Sequence, residues 1–116
     1  MLVSMAESIA HFRRPRDLTE EPDGFGRVRA LSWKTAGSRE SQALLLVAQR
    51  QHTYSVRIRR RIKETGSNLK AYAREAGTSY DRLGKLLRGV IVMRMEDVAM
   101  ADVVLGGISE ARDHPR

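Results

Sequence analysis

Cysteine is missing from this sequence altogether. That absence removes disulfides, thiolate nucleophiles and thiolate-bound zinc together, and it fits a reducing cytoplasm. Proline and phenylalanine are scarce, at three and two residues, which argues against a β-sandwich with its many turns and buried rings. The longest apolar run, Ala43-Leu44-Leu45-Leu46-Val47-Ala48, falls far short of the roughly 18 residues that cross a bilayer. No transmembrane helix and no membrane partner are expected. The opening MLVSMAESIAHFRRPR puts apolar residues before arginines, the reverse of a secretory signal, so it reads as a tail or short helix, with Met5 as a second candidate start. There is no phosphate-cradling loop, since Gly24-Phe25-Gly26 is too little for one. His11, His52 and His114 are scattered without the spacing of a zinc site, so neither metal nor cofactor is expected. The carboxylates Glu20-Glu21 and Glu96-Asp97 sit in a Pro- and Gly-bearing segment and at a helix start, so catalysis is not expected either.

What is present is positive charge and helical periodicity. The 116 residues suffice for one domain. Lys and Arg number 21 against 14 Asp and Glu, for a formal charge of +7, and that excess favours a polyanionic partner. Residues 1–37 mix charges with Pro15, Pro22, Gly24, Gly26 and Gly37 and show no sustained period, so they read as an irregular or flexible segment. Within it RVRALSW, residues 27–33, reads as a short strand or as extended chain that tucks Trp33 against helices.

From Ser38 to Thr65 no glycine or proline occurs. Leu44, Val47, Gln51, Tyr54, Ile58 and Ile62 recur every three or four residues, which predicts a mostly apolar helix face. Two readings fit: one long helix, or an additional helix over 38–52, available for a dimer or partner contact, followed by a new one capped by Thr53. Asn68 caps a helix over 69–76 with Leu69, Tyr72, Ala73 and Ala76 inward. Met95, Val98, Ala99, Asp102 and Leu105 predict a further helix with only Asp102 out of pattern, ended by Gly106-Gly107. Met93, Met95 and Met100 read as core filling around it. The tail over 108–116 is polar and expected to fray.

Between these helices lies AREAGTSYDRLGKLLRG, residues 73–89. Gly77 permits a sharp bend, Ala73 a close approach of two backbones, and Ser79 caps a new helix. In that helix Leu83, Leu86, Leu87 and Val90 share one face. A step of about 100° per residue turns Asp81, Gly84, Lys85 and Arg88 away from it. A leucine stripe backing an exposed polar stripe suits a helix that lies in a major groove. Gly84, which costs about 1 kcal/mol relative to alanine in a helix, reads as room for close approach to a partner.

The stretch from Asn68 to Gly89, NLKAYAREAGTSYDRLGKLLRG, resembles the helix-turn-helix core of the Cro and lambda-repressor family, also called Xre-like. Tyr72-Ala73, Gly77, Ser79, Leu83, Leu86 and Gly89 carry the likeness. VRIRRRIKET resembles the family's first helix and MRMEDVAMADVVLG its fourth. The resemblance implies an all-α bundle of four to five helices, with a DNA-binding domain over 53–107, that binds double-stranded DNA as a homodimer in a prokaryotic or phage cytoplasm. It places base reading on Tyr80, Asp81 and Lys85, with Arg88 at a phosphate. The chain departs from the family in carrying Leu69 where a glutamine is common and in lacking a fifth helix after Gly107.

Each role has a plainer counterpart. Lys85 suits guanine and Asp81 suits cytosine, each contact discriminating by about 1–3 kcal/mol; the same spacing fits a solvated Asp81–Lys85 pair worth a few tenths. Tyr80 suits a base edge or a phosphate, and equally packing at the helix start. Ser79, Arg60, Arg61, Arg82 and Arg88, with Arg57, Arg59 and Lys63, would orient the domain on phosphates, although a run such as RIRRRIK spreads around a helix. The function expected is a transcriptional regulator, most simply a repressor acting by operator occupancy. Two alternatives stand beside it: a helical protein-interaction or antitoxin-like module using the helix over 38–65, and a non-specific DNA- or RNA-binding architectural protein.

Overall fold

Ser38 starts the longest element of the chain. Its hydroxyl oxygen accepts the Ser41 amide and the Ser41 hydroxyl accepts the Ser38 amide, both at 3.1 Å, so donors that a helix start leaves open are satisfied reciprocally. From there α1 runs unbroken over Arg39–Glu64 in the computed structural model, which describes residues 14–110. This decides between the two readings of the segment. Thr53 turns its hydroxyl back to the Gln49 carbonyl at 3.1 Å instead of capping a new helix, and the boundary expected between residues 52 and 53 falls in mid-helix.

Three short helices follow, each with the start its sequence offers. Asn68 Oδ1 accepts the Ala71 amide at 2.8 Å and opens α2, Leu69–Ala76. Gly77 stops it with φ 74°, a left-handed value that a Cβ would strain. Ser79 Oγ accepts the Arg82 amide at 3.0 Å and opens α3, Tyr80–Leu87. Asp97 accepts the Arg94 amide at 2.8 Å at the head of α4, Met95–Val104. Among the described residues there is no β-strand, only an isolated bridge between Thr19 and Trp33. Among the described residues the fold is an all-α bundle of four helices. The opening residues before Arg14, with His11, and the end after Glu110, with His114, lie outside the described residues.

The core joins all four helices: Ile58 and Ile62 of α1, Tyr72 and Ala73 of α2, Leu83 and Leu87 of α3, and Ala101 of α4, closed by Ile108. The buried faces of α2 and α3 are those their periodicity predicts. Two faces differ. Val47 is exposed and Ala48 is buried in its place, because residues 14–37 cover that side of α1 with Leu18 and Trp33. On α4 the buried residue is Ala101, whereas Met95 is 89% exposed, and Ala99 and Met100 are also exposed. Of the three methionines read as core filling only Met93 packs against it. Apolar residues surround α4 on every side, so no period marks the face that turns inward.

The fraying expected after Gly107 is not what residues 108–110 show. Ile108 is fully buried. Asp102, the residue out of pattern on α4, accepts the amides of Ile108 and Ser109 at 2.8 and 3.0 Å. Arg61 donates to the carbonyl of Leu105, the residue that caps the end of α4, at 2.8 Å, and Arg57 to the Ile108 carbonyl in the chain beyond it at 2.6 Å, so one α1 arginine satisfies a carbonyl that the helix end leaves open and the other holds the segment that follows.

Residues 14–37 follow the irregular course expected of them, with two single turns of 3-10 helix at Pro15–Leu18 and Pro22–Gly24. They form a strap pinned to the bundle. Phe25 is 1% exposed, and its ring, that of Trp33 and that of His52 meet edge to face with centroids 5.4 to 6.4 Å apart. Trp33 thus tucks against the helices in extended chain.

Gln51, placed on the apolar face by spacing alone, is 2% exposed and makes three hydrogen bonds. Its Nε2 donates to the carbonyls of Leu86 and Ile91 at 2.8 and 2.9 Å, and its Oε1 accepts the Met93 amide at 2.8 Å. A group left unpaired in such a place costs about 1–3 kcal/mol. Gln51→Leu is therefore expected to lower the free energy of unfolding by at least about 2 kcal/mol, which urea titration followed by circular dichroism measures; unchanged stability would show that the three hydrogen bonds contribute nothing net.

Candidate nucleic-acid interface

Helix α3 is held at both ends and along one side, which leaves a defined face outward. At its start the Ser79 hydroxyl caps the amides. At its end, Gln51 takes the Leu86 carbonyl from one side while the strap closes on the other. A Cβ on Gly26 would come 2.0 Å from the Leu87 carbonyl oxygen, so only glycine lets the strap approach this closely. The Phe25 ring lies against Gly89, and the Arg16 amide donates to the Gly89 carbonyl at 3.0 Å. The strap is fixed in turn by His52, whose Nδ1 accepts the Gly26 amide at 2.9 Å. That bond requires an unprotonated Nδ1.

The residues expected to read bases stand together on the outward side. Tyr80 is 52% exposed, with Lys70 Nζ 5.6 Å from the centre of its ring, a cation–π contact worth about 0.5–1 kcal/mol at an exposed site. Tyr80 therefore does not pack into the core at the helix start. Asp81 and Lys85 form an ion pair of 3.1 Å on the exposed face. An exposed i,i+4 pair contributes only about 0.3–0.5 kcal/mol, less than one good base contact, so the pair is readily exchanged for a partner.

The residues expected at phosphates divide. Ser79 points its oxygen at the helix start and Arg60 is exposed on α1. Arg82 lies elsewhere than expected: its Nη1 and Nη2 each reach an oxygen of Asp97 at 2.9 Å, a two-pronged bridge that ties α3 to α4. Burial opposes the Asp97 charge, but the Arg82 hydrogen bonds and the Arg94 amide hold its carboxyl below the usual range, and Arg82 is raised in return. Arg61 is bound to Glu64 at 3.0 Å as well as to the Leu105 carbonyl. Arg82 and Arg61, like Arg57, act as clamps of the fold rather than free cations. Spacing alone did not distinguish them, because the acceptors come from distant parts of the chain.

Arg88 is free of such partners among the described residues and lies along α3. A Cβ on Gly84 would come 2.8 Å from Arg88 Nη1, so the space at Gly84 is occupied by this guanidinium and is not an open groove. Burial, and then the positive fields of Arg27 and Arg88, lower the Arg59 pKa. Tyr80, Gly84 and Arg88, four residues apart, share one flank of α3; Arg88 lines a pocket with Arg27 of the strap, and the charges of both act on Arg59 of α1. Periodicity offered no sign of Arg27, since the strap has no period.

No group of three His, Asp or Glu among the described residues is placed to hold a metal ion, and no helix among them is long and apolar enough to cross a membrane. No family model matches the chain, and no curated protein or solved structure matches it.

Two measurements test this site. Burial lowers the His52 pKa from its ordinary 6.5, so above about pH 6.5 the ring is neutral in both folded and unfolded chains and its contribution to stability is complete. As pH falls below that value the unfolded chain takes a proton first, and stability declines until the folded-state pKa is passed. His52→Asn, which keeps an acceptor near the Nδ1 position, is expected to flatten that part of the pH profile in thermal melts; an unchanged profile would remove His52 as its source. Gly84→Ala is expected to displace Arg88 while gaining up to about 1 kcal/mol of helix propensity, so unfolding and duplex binding, measured on one preparation, should move in opposite directions.

Proposed function

We propose that this chain is a sequence-specific, double-stranded DNA-binding protein that regulates transcription, most simply as a repressor that occupies an operator with α3 in the major groove. The observation that carries the reading is the presentation of α3. Its leucines are buried, both its ends are fixed, and Tyr80, Asp81 and Lys85 stand outward beside a flank of arginines that pair with no acid among the described residues. A reading element needs this rigidity, because base contacts discriminate only when the side chains arrive in fixed geometry. The likeness of residues 68–89 to the Xre-like helix-turn-helix agrees with it.

The protein acts as a homodimer in this proposal, within the cytoplasm. Support comes from α4, where Met95 and Val103 are 89% and 80% exposed and, with Ala99, share one side of the helix. Apolar side chains so placed are stabilised when a second copy covers them. A second reading, a protein-interaction module, draws on the other apolar exposure, Leu46 and Val47 on α1, at 49% and 41%.

Selection of the protein against a random duplex pool tests the proposal. The expected result is an enriched inverted repeat with half-site centres about 34 Å apart. Lys85→Ala should then lose preference at one base position, whereas Arg88→Ala should weaken all sites alike. Duplex binding without any enriched sequence would favour the architectural alternative, and no binding would favour the interaction module.

A further inference from the structure

The strap does more than brace α3. Where it passes the end of that helix it encloses, with Arg88, a cavity of about 320 Å³ lined by Arg16, Pro22, Asp23, Phe25, Arg27 and Arg88. Arg59 stands beside Arg27 and Arg88, close enough for their charges to act on it, and its buried Nε has no hydrogen-bond acceptor among the described residues. Asp23 is the one carboxylate in the lining, and it is taken by Arg16 at 2.9 Å. Among the described residues no acid pairs with Arg27, Arg59 or Arg88. Three like charges held together by a folded loop, a glycine-dependent contact and a helix end repel one another without compensation. A group that supplies the missing negative charge is the natural occupant.

We infer that this cavity is a phosphate site, formed by Arg16 and Arg27 of the strap with Arg88 at the end of α3, that receives one phosphodiester of the DNA backbone next to the bases read by α3. The inference rests on the reading of α3 as a major-groove helix. A guanidinium presents several donors in a planar fork that matches phosphate oxygens, and three of them converge here from two separate parts of the chain. Arg59 sits behind them and adds its charge. Because two of the lining arginines belong to residues 14–37, the strap is a working part of the interface, and the footprint on DNA extends past the C-terminal end of α3 by the width of this site.

The test uses the full chain and its best duplex from selection, titrated by fluorescence anisotropy over a series of salt concentrations. Wild type is read first. Arg27 is exposed, so Arg27→Ala leaves the core packing untouched, and a thermal melt verifies that it folds. The expected result is that the slope of log K against log salt falls by about 1 in magnitude, the change that follows when one phosphate fewer is neutralised, with the ranking of sequences unchanged. Arg27→Lys, which keeps the charge, should restore most of the slope. A wild-type slope retained in Arg27→Ala would overturn the phosphate site and leave the reading of α3 standing. Failure of wild type to bind any duplex would overturn that reading and the site with it.

Discussion

Two adjacent polar side chains in the middle of α1 are the constraint on which the rest of the structure depends. Gln51 and His52 are both buried, yet they point to different neighbours. Gln51 binds the chain that leaves α3, at Leu86, Ile91 and Met93, and His52 binds the strap at Gly26. Consecutive residues on a helix diverge by about 100°, so one turn of α1 holds both supports of α3 in fixed relation. The helix that presents Tyr80, Asp81 and Lys85 is short, at 8 residues, and a free helix of that length is marginal in water. Its order comes from these external hydrogen bonds, its cap and its leucines.

The arginines are sorted by the same geometry. Residues four apart on α1 share a side, so Arg57 and Arg61 both fall toward the end of α4, where Arg61 closes the Leu105 carbonyl and Arg57 that of Ile108. Arg59, about 200° away from each of them, falls instead toward the strap and α3. The charged run over 57–63 therefore serves two unrelated purposes. Its composition suggests one basic patch, but its helical positions separate the cations that hold the fold from those that pair with no carboxylate among the described residues.

Much of the architecture was legible in the sequence because it rests on local rules. Asn68 and Ser79 cap the helices they were expected to cap, Gly77 makes the turn, and the leucine stripe of α3 is buried. The parts that escaped depend on interactions between distant residues. Gln51 fits an apolar period by position, and nothing local reveals that three backbone groups some 35 to 42 positions away require it. Arg82 and Arg61 look like free surface cations until Asp97 and the Leu105 carbonyl come within reach. The inward face of α4 was unreadable because apolar residues occur on every side of that helix, and Ile108 is held by an aspartate six positions earlier. The strap has no period at all, so its share in the candidate site could be seen only in three dimensions.

Gly84 sets helix propensity against the placement of a charge on α3. Alanine would make a better helix, and the sequence keeps glycine where the Arg88 guanidinium folds across the backbone. The result places a positive charge between the strap and the outward face, beside Arg27 and Arg59, in an arrangement that disfavours the isolated protein. Repulsion of this kind weakens when counterions or phosphates collect around it. Salt therefore relieves in the free protein what a phosphodiester would relieve in a complex, and the two compete for the same charges. A flank built this way contributes little to folding, and it becomes favourable when an anion is bound.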